Sequence, residues 1–170
     1  MSEARFTFHI NSLRFDDPKT REARRDVDKF APIRELCDMF IKNCEQMHVL
    51  NFNLTVDEQL LAFRGQCPFK IFILSKLVKY GIKIVLICDN NSKYLLGTIL
   101  YLGKGGTIAV DGVNLGHHLI RELIWTYHQT KCNVTTDNWC SSVPLAVELL
   151  NKCGMMHVGT IKGCISEILG

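Results

Sequence analysis

Apolar residues recur along this chain with two different periods, and the switch falls near residue 48. Before it, Phe6, Phe8, Ile10 and Leu13 fit a short helix over 3–14, and Ile33, Leu36, Cys37, Phe40, Ile41 and Cys44 repeat at three and four residues behind Pro32. That spacing puts one apolar stripe on a helix that a proline opens. Between the two, Asp16-Asp17-Pro18-Lys19-Thr20-Arg21-Glu22-Ala23-Arg24-Arg25 is polar and reads as a solvated loop. After residue 48 the pattern shortens. Leu54, Val56 and Leu60-Leu61 mark a strand carrying Asp57, and Ile82–Cys88 is a nearly continuous apolar run, as in a central strand buried on both faces. Asp89-Asn90-Asn91-Ser92 supplies turn chemistry before a third strand, Tyr94–Leu102.

The second half alternates helix and strand. Leu115, Leu119, Ile120, Leu123, Ile124 and Tyr127 form one helical face, with His117 and His118 at its start read as surface positions. Residues 132–137 give a fourth strand ending in Asp137. Ser142 and Pro144 then open a helix that buries Leu145, Leu149 and Leu150, turns Glu148 to water and stops at Gly154. Met155–Ile161 is a fifth strand. The division is a helical lead-in over 1–48 and an α/β domain over 49–170. Strands first, then alternating helices, imply a mixed five-stranded sheet with helices on its faces. That order matches a ribonuclease H-like fold lacking its C-terminal helices. Gly103-Lys104-Gly105-Gly106 lacks the Gly-Lys-Ser/Thr ending of a phosphate loop, which excludes that nucleotide-binding reading.

Composition narrows the picture modestly. With 170 residues, 47% of them hydrophobic, the chain can bury a real core, and 20 basic against 17 acidic residues leave only +3. That balance does not announce nucleic acid by charge alone. No apolar run approaches the ~18 residues of a membrane span. Eight cysteines without a C-x-x-C pair or signal peptide read as reduced thiols inside a cell.

The candidate chemistry lies in Asp57 and Asp137, each read as closing a β-type run. Two hard-oxygen ligands on neighbouring strand ends can hold Mg²⁺ where a substrate phosphate completes its shell. The blocks around them are distinctive. Thr55-Val56-Asp57-Glu58-Gln59-Leu60-Leu61-Ala62-Phe63-Arg64-Gly65-Gln66-Cys67-Pro68-Phe69 resembles the first catalytic-aspartate block of piggyBac-type transposases and their domesticated relatives. The likeness continues through Ser75-Lys76, Lys79–Lys83, Cys88-Asp89, Gly112–Gly116, Val134-Thr135-Thr136-Asp137-Asn138-Trp139, Ser142–Ala146 and Val158–Thr160. It covers essentially the whole chain, including Arg5-Phe6, Leu13-Arg14 and Asp16-Asp17.

The resemblance implies a metal-dependent, cut-and-paste DNA transposase centre with three aspartates (a DDD site) and Mg²⁺ or Mn²⁺ as cofactor. Asp57 matches the first aspartate and Asp137 the second; the third would lie downstream. Glu167 is the last carboxylate here, in no matching context. The expectation is a truncated transposase piece, inactive alone, located in the nucleus, with DNA as partner and a possible homo- or hetero-oligomer with transposase. Arg64, Lys70, Lys76, Lys79 and Lys83 are candidate contacts to the DNA backbone, with solubilising surface charge as their plain alternative. Trp139 could stack on an unpaired base, or lie as a core aromatic under the site. The competing function is a non-catalytic DNA-binding or transposase-interacting module. A lesser one is a nuclease that recruits Glu167.

Overall fold

The computed structural model describes residues 1–103 and 115–161. The remainder of the glycine-rich turn after Gly103, most of the Gly112–Gly116 block and the tail carrying Glu167 lie outside the described residues. Contacts divide the chain into two units, Met1–Phe40 and Ile41–Gly170.

The first unit holds helices α1 (Glu3–Ser12) and α2 (Arg21–Val27) and the start of α3 (Arg34–Met47). The polar stretch is therefore partly helical. Two of its arginines are paired internally: Arg21 and Arg24 reach Asp16 at 2.6 and 3.0 Å, and the Asp16 side chain is only 5% exposed. The hydrogen bond from Arg21 holds the Asp16 carboxyl below its ordinary range. A similar fork joins Arg34 to Asp28 at 2.7 and 3.1 Å. These cations are spent on internal pairs and not offered to a ligand.

In the second unit, β1 (Asn53–Ala62), β2 (Ile71–Phe72), β3 (Tyr80–Asp89), β4 (Leu95–Leu100), β5 (Asn133–Thr136) and β6 (Met156–Gly159) form one sheet. Its order is β2-β3-β1-β5-β6, with β4 also on β3. β1 pairs antiparallel with β3 from Leu54↔Asp89 to Ala62↔Gly81, and parallel with β5 from Asn53↔Asn133 to Val56↔Thr136. Among the described residues the sheet thus has one strand more than the sequence pattern counted. β2 is two residues long, too short for alternation to register, and is fixed by pairing with Tyr80 and Gly81.

Two helices, α4 (Leu115–Trp125) and α5 (Val143–Glu148), pack their apolar stripes against one sheet face. Leu119, Ile120, Ile124, Leu145 and Leu149 meet Leu54, Val56, Val85, Ile87 and Val134, all at 1% exposure or less. β3 accordingly alternates: Val85 and Ile87 are buried while Ile84 and Leu86 on the opposite face are only half-buried. Among the described residues it is fully covered on one face and half-covered on the other. After α5 a π-helical turn, Leu149–Cys153, runs to Gly154 in the left-handed region at φ +66°. Leu150 is 58% exposed, not buried, because a helical neighbour of buried Leu149 points about 100° away.

The histidines and Glu148 also differ from the surface placement their sequence suggested. His117 and His118 side chains are 14% and 12% exposed. Glu148 is 17% exposed and accepts from His117 at 2.7 Å and Lys152 at 3.0 Å, which together hold its carboxyl below the ordinary range. The i,i+4 Lys and the facing helix α4 draw the acid inward.

Candidate functional site

Strand register decides how the two aspartates relate. Val56↔Thr136 is the last parallel pair between β1 and β5, so Asp57 and Asp137 are the next residue on each strand. Neighbouring strands run about 4.8 Å apart, which makes the two backbones adjacent at one rim of the sheet. Only Asp137 follows a strand end. Asp57 lies mid-strand, because β3 continues to pair with β1 as far as Ala62. The position that matters is where β5 stops, leaving β1 without a partner on that side.

Each carboxylate is held locally. Asp57 alternates away from buried Val56 and is exposed, its Oδ1 accepting the Glu58 N–H at 2.7 Å. Asp137 is half-buried, and its Oδ1 accepts the Trp139 N–H at 3.1 Å. Its backbone oxygen accepts from the Cys140 and Ser141 amides and, at 2.7 Å, from the Ser141 hydroxyl. That closes the segment 137–141 into a tight turn, the Asx geometry that short polar side chains favour. Among the described residues neither carboxylate is ion-paired, and no group of three or more His, Cys, Asp or Glu side chains is placed to hold a metal.

Glu58 occupies the opposite face of β1 from Asp57 and has a different role. Its carboxylate is paired with Lys83 on β3 and lies 3.4 Å from Lys76. Burial pushes the Glu58 carboxyl up, but the hydrogen bonds and charges of Lys83 and Lys76 bring it below its ordinary value. The Lys83 ammonium also sits 3.5 Å from the centroid of the Trp139 ring. Cys140, beside Asp137, is pushed up to about 12, chiefly by burial and then by the Asp137 charge, so it stays a neutral thiol. Burial and the Asp57 charge likewise raise Cys88.

The candidate DNA contacts separate into two sets. Arg64 and Lys79 line an open groove of about 470 Å³ with Phe63, Lys70, Val78 and Tyr80 at the end of the β1–β3 hairpin. Lys70 there donates to the Gly65 carbonyl at 3.1 Å. Lys76 leans to Glu58, and Lys83, at 11% side-chain exposure, is an interior cation and not a surface one. Sequence reasoning missed the Glu58–Lys83–Trp139 contact. The signal was present: Lys83 shares strand parity with buried Val85 and Ile87, so alternation alone places it on the core face.

With this geometry in hand, known proteins supply the family. The family model described as Transposase IS4 matches residues 1–164. A cryo-electron-microscopy structure of a piggyBac transposase synaptic complex with hairpin DNA superposes with a TM-score of 0.87 at 43% identity, covering 96% of this chain and 34% of that one. This chain therefore spans about a third of that transposase's length. The family match runs through both aspartate blocks, and the mixed sheet with its flanking helices is the ribonuclease H-like catalytic fold of that neighbour. The chain belongs to the Transposase IS4 family and is a piggyBac-like, transposase-derived domain.

Proposed function

We propose that Asp57 and Asp137 are two carboxylates of a divalent-metal phosphoryl-transfer centre of a DNA transposase, and that this segment by itself does not cut DNA. The observation carrying this reading is the register that sets the two residues side by side past the last β1–β5 pair. Both offer hard oxygens free of competing cations, a donor set suited to Mg²⁺ or Mn²⁺. When bound, such an ion supplies charge neutralisation at a phosphoryl oxygen and an activated water. The chain's own contribution is placement. β1 holds Asp57 on a rigid strand, and the turn at 137–141 fixes Asp137. Two carboxylates leave most of the coordination shell to water and substrate phosphate, so affinity for the ion is weak.

DNA is the partner this reading requires, and the nucleus the corresponding location. The groove carrying Arg64 and Lys79 favours sequence-independent contact with the phosphate backbone. The same groove supports the alternative reading, a binding module that works without catalysis.

Three measurements test these readings. Mn²⁺ added to the chain is expected to broaden amide resonances around Asp57 and Asp137 together, and either Asp57→Asn or Asp137→Asn should abolish it. Supercoiled DNA should remain intact with Mg²⁺ or Mn²⁺. Broadening at neither segment, or nicking that Glu167→Gln removes, overturns the two-carboxylate proposal. For DNA, retention should fall with salt, and Arg64→Ala with Lys79→Ala should reduce the log–log salt slope by up to about 1.8, the release of roughly two phosphate contacts. Lys76→Ala should change the slope much less, since its charge is directed at Glu58. Equal effects from both variants would count against the assignment of the groove.

A further inference from the structure

Glu58, Lys83 and Trp139 come from three separate segments and meet at one ammonium group. Glu58 follows Asp57 in sequence, and Trp139 is two residues past Asp137 with its amide on the Asp137 carboxylate. Between them stands Lys83, reaching from β3 with its ammonium on the Glu58 carboxylate and over the indole ring 3.5 Å away. A charge this deeply buried is retained only when it is paired. Here the pairing is double, to an anion on one aspartate's strand and to the π face beside the other aspartate.

We infer that Lys83 is a positioning residue, which ties the turn 137–141 to β1 and so sets the spacing of the two aspartate segments. It touches neither carboxylate in the structure and acts through Glu58 and Trp139. β5 ends at Thr136, so no ladder hydrogen bond to β1 extends past that residue. Beyond that point the ammonium bridge supplies a polar tie between the two segments, beside the packing of Cys140 and Trp139 against the core that holds Leu54 and Val56. The Glu58 pairing also requires a cation and the Trp139 contact requires one over the ring, so a neutral side chain of similar length fails on both counts, while arginine satisfies both.

The tether is tested without metal, and its consequence for the site rests on the metal reading above. Hydrogen exchange should be followed at the Trp139, Cys140 and Ser141 amides, which close the turn on Asp137. Lys83→Arg is expected to keep wild-type exchange. Lys83→Met leaves Glu58 under-compensated and can cost the whole fold. The informative variant is therefore Glu58→Gln with Lys83→Met, which removes both charges together. It should fold, with those three amides exchanging at least about tenfold faster while the β1–β3 amides stay protected. Wild-type exchange at 139–141 in the folded double variant overturns the tether.

A second readout uses Mn²⁺. Paramagnetic broadening at Asp137 should weaken several-fold in the double variant and stay at the wild-type level in Lys83→Arg. A protein merely less stable would lose protection everywhere, and its loss would not be confined to the one segment. Wild-type protein that shows no broadening at either aspartate sinks the metal reading, yet the exchange experiment still decides the tether. Conversely, normal broadening with unchanged exchange in the double variant sinks the tether and leaves the metal reading standing.

Discussion

Replacing Asp89 with alanine is expected to lower the thermal midpoint of the chain by roughly 10 °C, the scale for losing several buried hydrogen bonds in a domain of this size. Asp89 ends β3 with its side chain at 0% exposure. Its Oδ2 accepts from the Asn51 amide at 3.2 Å, the Asn51 side chain at 2.7 Å and His48 at 3.1 Å, while its Oδ1 accepts from the Asn91 and Ser92 amides at 2.8 and 2.9 Å. One carboxylate thereby fastens the entry to β1, the end of β3 and the turn into β4. His48 is fixed a second time by stacking on Tyr94, with ring centroids 4.5 Å apart. Alanine would leave five donors without this acceptor in a place water reaches poorly.

The same residue predicts the acid limb of stability. Hydrogen bonds, led by that from the Ser92 amide, outweigh burial and hold the Asp89 carboxyl well below the usual carboxylate range. A group depressed in the folded state contributes fully above its unfolded pKa, about 4, and progressively less as pH falls toward the folded value. Wild-type stability should therefore drop as pH is lowered from about 5, and Asp89→Asn should start lower and lose less over the same range. Parallel stability curves for the two proteins below pH 5 would remove Asp89 from the explanation. The measurement is urea unfolding across a pH series.

The second large effect is expected from Gly81→Ala. Gly81 pairs with Ala62 at the far end of the β1–β3 ladder and also with Ile71 of β2. An added Cβ would overlap the Leu61 carbonyl oxygen and meet the Leu60 side chain at 3.0 Å. The first obstacle is backbone, so relief requires the two strands to separate where both Gly81 partners are attached. Forcing a methyl group into such a site costs about 3 kcal/mol. Urea titration should show a lower midpoint with an unchanged slope. A midpoint within error of wild type would mean that the strands give way easily at this end. The groove holding Arg64 and Lys79 is built on the same hairpin, so weaker DNA retention should accompany the loss.

Much of this architecture is legible in residue order. The two-residue period of Leu54 and Val56 and the three- and four-residue period of Leu115–Ile124 depend only on how a strand or helix presents its side chains. The run Ile82–Cys88 announces a central strand, although a continuous apolar run does not say that only one face is packed by helices. The Asp89-Asn90-Asn91-Ser92 turn was visible, but not that its aspartate faces inward to receive donors from 38 and 41 residues earlier. Likewise, His117 and Glu148 look like surface residues until α4 and α5 are set against each other. Long-range partners leave no local trace, and hydropathy assigns every unpaired charge to water.

The sequence by itself determined the strand and helix periods, the two aspartate blocks and, through their order, membership of a transposase family. Tertiary structure decided which charges face solvent and which face each other. Lys83 shows why. Its identity and spacing suit a backbone-binding lysine, yet parity places it on the core face, where desolvation is tolerable only because Glu58 and Trp139 arrive from other segments to meet it. Register likewise placed Asp57 beside Asp137, because β5 stops one residue short of both while β1 continues with β3 as its partner on the other side.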